Sequence, residues 1–271
     1  MYKEKLLKLI KSKLSKIPHG VDRSLFYNQR KKDNDDAQNV SLSGDTKLKR
    51  GKITKIEQIP VNMDNHADTF KFLSTKGWRG TGWDRGGVQY LIRAFAEEFK
   101  KDEKVELIVK LNPAYMNPAI LESTIVGMNL PEDRPLINVR LADVPFNKLI
   151  DIYNEADCFV CPTRAESFNL IGLEAMSCGL PTIQTNYGGQ VDYMNGGNSL
   201  TIDYDMEEVK EDFMYEGISW ATPKIEDLKA KLRWAFENQD RMKSLGARAE
   251  KDSEKWTWDK TAEKIIKILK K

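Results

Sequence analysis

The chain has 271 residues, 40% hydrophobic and 31% charged, long enough to bury a real core and composed like a globular protein with many surface ions. Lys and Arg number 43 against 41 Asp and Glu, and this net charge of +2 argues against wholesale nucleic-acid binding. No apolar run nears the ~18 residues of a membrane span, no secretory signal pattern opens the chain, and an odd count of three cysteines suits reduced thiols in the cytoplasm better than a disulfide framework.

Residues 1–17 place Leu6, Leu7, Ile10, Leu14 and Ile17 at helical spacing, with six lysines and one glutamate through residue 16. A basic helix docked on protein explains this more simply than a helix on a membrane surface, because long flanking lysines are ordinary. The second reading keeps peripheral membrane contact through residues 1–17 open. Residues 28–52 are almost wholly polar, including Asp33-Asn34-Asp35-Asp36, and read as a mobile loop or linker. The chain therefore divides into an N-terminal region, 1–67, and a folded domain, 68–271.

From residue 68 strands and helices alternate. Thr69 to Ser74 reads as a strand, and a glycine-rich loop runs from Gly77 to Gly87. Val88, Leu91, Ile92, Phe95, Ala96 and Phe99 then repeat as on an amphipathic helix. Val105 to Leu111 and Leu136 to Val139 read as strands, and Asn147 to Ala156 as a helix. Cys158-Phe159-Val160-Cys161 is a short apolar run suited to a strand buried on both faces. Leu170 to Cys178 reads as a helix stopped by Gly179 and Pro181. Strands at Pro181 to Thr185 and Ser199 to Ile202 follow, then helices near 224–238, 240–252 and 258–270. Strands joined by helical crossovers predict an α/β fold, a doubly wound parallel sheet, with ligands beyond the carboxyl ends of the strands.

Two stretches carry chemistry. In the loop after the first strand, Lys76, Arg79 and Arg85 accompany Gly77, Gly80, Gly82, Gly86 and Gly87. A turn between a strand and a helix suits phosphate. It is not a P-loop, since no Gly-Lys-Ser/Thr follows Gly82, and Gly86 falls one residue late for G-x-G-x-x-G. The second strand ends near Lys110 and Asn112, with no carboxylate for an adenosine ribose, which weakens a nicotinamide reading. The second stretch runs from Arg164 through Glu166, Ser167, Phe168, Asn169 and Leu170 to Glu174 and Met176. Glu166 precedes a helix and Glu174 lies within it, about 7.5 Å past Asn169 along the axis. The free N–H groups of the first turn lie between the two acids and suit a diphosphate. Ribose, diphosphate and sugar would meet such a site in order. A salt-bridged Glu174 is the plainer alternative; on so apolar a helix it must be paired or hydrogen-bonded either way.

Cys161 through Leu170, continued by Glu174 to Pro181, resembles the Glu-x7-Glu signature of retaining GT-B glycosyltransferases of group 1. Tyr187-Gly188-Gly189-Gln190 is similar to the Gly-Gly turn that follows it in that family. Ile17 to Asp22, with Phe26, resembles the interdomain segment; Arg85-Gly86-Gly87 resembles the Lys-Gly entry to the first helix; and Asn154 to Asp157 the segment before the signature strand. The likeness covers residues 17–22 and 68–271 and implies a Rossmann-like C-terminal, donor-binding domain ending in helices. It implies Glu166 on hydroxyls of the donor sugar and Glu174 on those of the ribose. Backbone N–H groups from Phe168 to Leu170, beside Ser167, would meet sugar or diphosphate, with Gly188 and Gly189 beside them. Arg85, with Lys76 or Arg79, would neutralise the leaving nucleoside diphosphate. The implied substrate is a nucleoside-diphosphate sugar and the acceptor a carbohydrate or lipid-linked molecule, with no metal and no other cofactor. Family members place a whole first domain before the interdomain segment, where this chain offers about sixteen residues, and that domain often supplies a histidine near the reacting carbon. His19 and His66, the chain's two histidines, match no such position. The expectation is an enzyme half that works with an acceptor-binding domain; a donor-binding module without transfer of its own is the alternative.

Three further signals read as structure. Cys158 and Cys161 have zinc-pair spacing but no second pair, and a strand turns them to opposite faces. Asp203-Tyr204-Asp205 reads as a solvated turn. Glu166 and Glu174 could be the acids of a hydrolase, but a phosphate-shaped gap between them favours a nucleotide. Most of the six tryptophans read as packing residues.

Overall fold

A computed structural model of the chain describes residues 15–31, 45–49, 52–53, 68–78, 84–210 and 215–270. The basic helix expected at 1–17 falls mainly on 1–14, outside the described residues, as do Arg79 and His66; residues 15–20 carry no regular structure.

The strands, in chain order, are β1 (Asp45–Lys49), β2 (Lys52–Ile53), β3 (Phe70–Ser74), β4 (Val105–Leu111), β5 (Leu136–Leu141), β6 (Cys158–Cys161), β7 (Thr182–Thr185), β8 (Ser199–Ile202), β9 (Tyr204–Glu208) and β10 (Ser219–Pro223). The first eight form one sheet in the order β2-β1-β5-β4-β3-β6-β7-β8. Neighbours from β5 to β8 are all parallel. Every residue of β4, β6 and β7 is buried, the condition under which strands read as near-continuous apolar runs.

The helices are α1 (Val88–Glu98), α2 (Pro118–Gly127), α3 (Leu149–Asn154), α4 (Leu170–Ser177), α5 (Ile225–Glu237), α6 (Gln239–Ser253) and α7 (Trp258–Leu269). On one face Phe72, Leu107 and Val160 pack with Leu91 and Phe95 of α1, Leu121 of α2 and Leu228 of α5. On the other, Leu73, Ile108 and Phe159 pack with Ile150 and Tyr153 of α3 and Leu173 and Met176 of α4, and Val21 and Phe26 join that core. Cys158 belongs to the first core and Cys161 to the second, and all three cysteines are buried free thiols. Arg233 of α5 lies 4.4 Å from the Phe99 ring centroid and bonds Glu98 at 2.8 Å, closing α5 onto α1. No described helix is long and apolar enough to cross a membrane.

The structure departs from the sequence reading in four places. Within the polar 28–52 stretch, Gln29–Lys31 forms a 3₁₀ turn, and β1 pairs antiparallel with β5 while β2 pairs with β1. The open edge of β5 offers backbone donors and acceptors that pair without regard to side-chain polarity. Tyr204 and Asp205, expected in a solvated turn, instead open β9, which pairs with β10 as a separate hairpin. Helix α2 was not anticipated; its signal is local, Asn117 accepting from the Ala119 N–H at 2.8 Å just before Pro118. The 147–156 helix is split into a 3₁₀ turn at Phe146–Lys148 and the shorter α3.

From β3 the chain winds outward through β4 and β5, and from β6 the other way through β7 and β8. The connections therefore part at the carboxyl ends of β3 and β6, where an open α/β sheet leaves its crevice. Phe95 is wholly buried, 5.2 Å from Phe99 and 6.2 Å from Phe72 by ring centroids. Phe95→Ala is expected to cost about 3–5 kcal/mol, read as a lowered urea midpoint with an unchanged slope.

Candidate functional site at the parting of the sheet

Lys76 follows β3 and Glu166 follows β6, so the parting of the crossovers brings these two together. The Lys76 ammonium forms an ion pair with Glu166 Oε1, and Arg85 Nη2 lies 4.0 Å from the same oxygen. The Lys76 and Glu166 side chains are each 13% exposed, whereas Arg85 is 51% exposed. Two cations on one carboxylate leave a net positive charge in a half-shielded crevice, which favours an anion.

Glycines make this approach possible. Gly87 has φ 76°, and a Cβ there would lie 1.9 Å from the Pro162 carbonyl oxygen; at Gly86 one would lie 2.4 Å from the Gly77 carbonyl oxygen. Backbone without side chains thus presses the entry of α1 onto the loops after β3 and β6. There the Arg85 carbonyl accepts from Arg164 N–H at 2.9 Å and from Thr163 Oγ1 at 3.1 Å. Among the described residues, the glycine-rich loop serves close packing and the placing of Arg85.

The loop from Glu166 enters α4 through Asn169, whose backbone is left-handed at φ 64°, ψ 64°. The Asn169 carboxamide does not cap the helix; its Nδ2 donates to Gln184 Oε1 at 2.8 Å. The Asn169 carbonyl accepts from the Tyr193 hydroxyl at 2.8 Å. The opening turn of α4 is therefore without a side-chain cap, and its N–H groups and dipole face the crevice side of the strands. Ser167 is exposed and Leu170 half-buried. Phe168 turns into the core, with its ring 5.4 Å from His19, 5.5 Å from Tyr193 and 6.0 Å from Trp256, so only its backbone can serve a ligand. The Gly188-Gly189 turn closes the other side: Gly189 N–H donates to the Glu166 carbonyl at 3.1 Å, and a Cβ on Gly189 would meet the Ser167 carbonyl oxygen at 1.8 Å.

Glu174 lies one turn into α4. Its Oε2 accepts from the Tyr153 hydroxyl at 2.7 Å, and that hydroxyl lies 3.4 Å from Thr75 Oγ1. Burial raises the Glu174 carboxyl above its ordinary range, opposed by the Tyr153 hydrogen bond. Burial and the neighbouring Glu174 hold the Tyr153 hydroxyl protonated well past its usual range. The plain salt bridge considered for Glu174 is replaced by a hydroxyl, and no cation among the described residues pairs with its carboxylate. No group of three or more metal-ligating side chains occurs among the described residues.

Four residues shape this site in ways the sequence reading did not assign to them. Tyr153 sits in an apolar stretch and reads as core. Tyr193 lies outside every motif. His19 stacks on Phe168 and meets Trp258 edge-on at 5.6 Å, reaching the acid-bearing loop from the far end of the chain. Arg164 is fully buried, donating to Thr222 Oγ1 at 2.8 Å and Glu207 at 3.3 Å, with Trp220 5.4 Å away. It ties the β9–β10 hairpin to the loop that carries Glu166.

A carboxyl whose native pKa is raised stabilises the fold fully below the ordinary carboxylate range and loses that contribution as pH rises through the raised value. Glu174→Gln keeps an acceptor for Tyr153 and removes the charge. The variant is expected to match the parent chain in urea near pH 4 and to exceed it at pH 8.

The family model described as "Glycosyl transferases group 1" matches residues 77–213, which include Arg85, Glu166, Glu174 and the Gly188-Gly189 turn. The chain is 30% identical over 121 residues to a D-inositol 3-phosphate glycosyltransferase of Rhodococcus jostii, covering 44% of this chain and 23% of that protein. Its fold is similar to sucrose-phosphate synthase from Thermosynechococcus elongatus, with a TM-score of 0.62 at 17% identity over 94% of this chain and 51% of that one. It is also similar to Anabaena HepE, solved with UDP and glucose, with a TM-score of 0.53 at 17% identity over 76% of this chain and 49% of that one. The chain thus spans about half or less of each of these three proteins. With a six-strand parallel sheet parted at β3 and β6, and the family's matched stretch lying on that parting, this chain belongs to the group 1 glycosyl transferases as a Rossmann-like, GT-B C-terminal domain.

Proposed function

We propose that this chain is the donor-holding half of a retaining hexosyltransferase, taking a nucleoside-diphosphate sugar and passing its sugar to a carbohydrate or lipid-linked acceptor in concert with an acceptor-binding domain. The observation that carries the reading is the arrangement along the crevice: Glu166 with its two cations, the uncapped start of α4, then Glu174 with Tyr153. A molecule with an anionic middle and a polyol at each end fits that order. The complex of Anabaena HepE with UDP and glucose supports the choice of a nucleotide sugar.

In this reading Glu174 accepts from the ribose hydroxyls and Glu166 from those of the sugar, while Lys76 fixes the Glu166 carboxylate. Transfer breaks the bond between the anomeric carbon and the diphosphate oxygen, leaving the electron pair on the diphosphate. The acceptor hydroxyl forms the new bond on the face just vacated, and its proton departs with the leaving group. Arg85 and the α4 N–H groups stabilise the charge that gathers on the diphosphate, held in place before the reaction begins. Side-chain cations and backbone dipoles thus supply the electrostatics without a metal.

Calorimetry with UDP, GDP, ADP and their sugar conjugates tests the division of labour. Glu174→Ala is expected to weaken nucleoside-diphosphate binding about tenfold, the scale of a hydrogen bond to a charged group. Glu166→Ala should leave that affinity in place and flatten the discrimination among sugars. Equal losses from both substitutions would refute the assignment. Sugar transfer should appear when an acceptor-binding domain is added; tight donor binding with no turnover beside any such domain would identify a binding module instead.

A further inference from the structure

Lys110 is a buried lysine that neither the motifs nor the mechanism uses. It stands one residue before the carboxyl end of β4, and the residue is 8% exposed. Residues of a strand alternate between faces. Ile108 belongs to the core beneath α3 and α4, whereas Val109 and Leu111 belong to the opposite one, so Lys110 shares the face of Tyr153 and Glu174. The parallel register pairs Leu73 with Ile108 and Ser74 with Val109. The pairing ends there, and the residue after Ser74, Thr75, is the one whose hydroxyl approaches Tyr153.

The charged neighbours on this face are engaged elsewhere. Arg140, opposite Lys110 on β5, is ion-paired with Glu155, and Glu106 accepts from Asn138 at 3.0 Å. The Lys110 ammonium makes no hydrogen bond or ion pair with any described residue. Burial lowers its pKa, and the exposed Asp143 past the end of β5 offsets this only through space. The Lys110 stem is buried and its ammonium has no acceptor among the described residues, so a ligand in the crevice that supplies one takes up a charge already partly withdrawn from water.

Resting on the donor reading above, we propose that Lys110 is a specificity-determining residue that hydrogen-bonds a carbonyl oxygen of the donor's nucleobase. Along the carboxyl edge of the sheet the order is β4, β3, β6, so Lys110 lies on the β4 side of the parting, away from Glu166 and the sugar. Beyond the ribose held by Glu174, the group that continues in that direction is the base. An ammonium has three donors and no acceptor. It therefore suits uracil and guanine, which carry exocyclic carbonyl oxygens, and disfavours adenine, which carries an amino group and none.

The test is titration of the parent chain, Lys110→Met and Lys110→Gln with UDP, GDP, ADP and inorganic pyrophosphate. The parent should bind UDP or GDP at least about tenfold more tightly than ADP. Lys110→Met should lose about that factor for the favoured nucleotide, bring its ratio to ADP near one, and leave pyrophosphate binding unchanged. Lys110→Gln, which keeps an N–H donor, should recover part of the ratio. A Met variant that keeps the parental base ratio overturns the proposal while the donor reading stands, as does a loss shared equally by pyrophosphate, which would make Lys110 a phosphate contact. A parent chain that binds no nucleotide at all sinks both.

Discussion

Crossovers that leave neighbouring parallel strands in opposite directions cannot cover the gap between them. Here the gap falls between β3 and β6, and backbone from three separate stretches crowds around its rim. The loops after both strands, the entry to α1 and the Gly188-Gly189 turn all converge there. Glu166 stands 90 residues along the chain from Lys76, and it meets Lys76 and Arg85 because the sheet parts at that point. The electrostatics of the site follow from the winding of the chain, and the buried strands beneath it supply a floor that does not yield.

Much of this was legible beforehand because parallel strands buried on both faces leave unbroken apolar runs. Cys158 to Cys161 shows such a run, Val105 to Leu111 one interrupted only by Glu106 and Lys110, and the apolar stripe of α1 repeats at helical spacing. The site was partly legible for a different reason: two acids around a helix start are a local pattern. What escaped was either long-range or insensitive to side-chain polarity. The strands of residues 45–53 pair through backbone groups on an open edge, which a polar composition does not disclose. Tyr153 touches Glu174 across 21 residues of chain, and His19 reaches Phe168 from the other end. No periodicity encodes such meetings.

The polar groups beneath the site divide into satisfied and unsatisfied sets. Asn169, Gln184 and Tyr193 bond one another and fix the left-handed turn that opens α4. Arg164 is held from several sides by Thr222, Glu207 and the Trp220 face. These networks hold geometry, since each member has its partner inside the protein. Glu174 and Lys110 differ: one is a carboxyl met by a neutral hydroxyl, the other an ammonium met by none. A carboxyl buried against a neutral hydroxyl costs the fold some stability of its own.

The segment bearing Glu166 is gripped on two flanks by glycine backbone, Gly87 against Pro162 on one and Gly189 against Ser167 on the other. Contact at that range leaves no slack in which the segment could swing by itself. If the acid is to shift when a ligand enters, the flanking turn and the head of the first helix must travel with it as one block. Any adaptation to ligands of different shape then belongs to side chains such as the half-exposed Arg85, while the acid's own perch stays still.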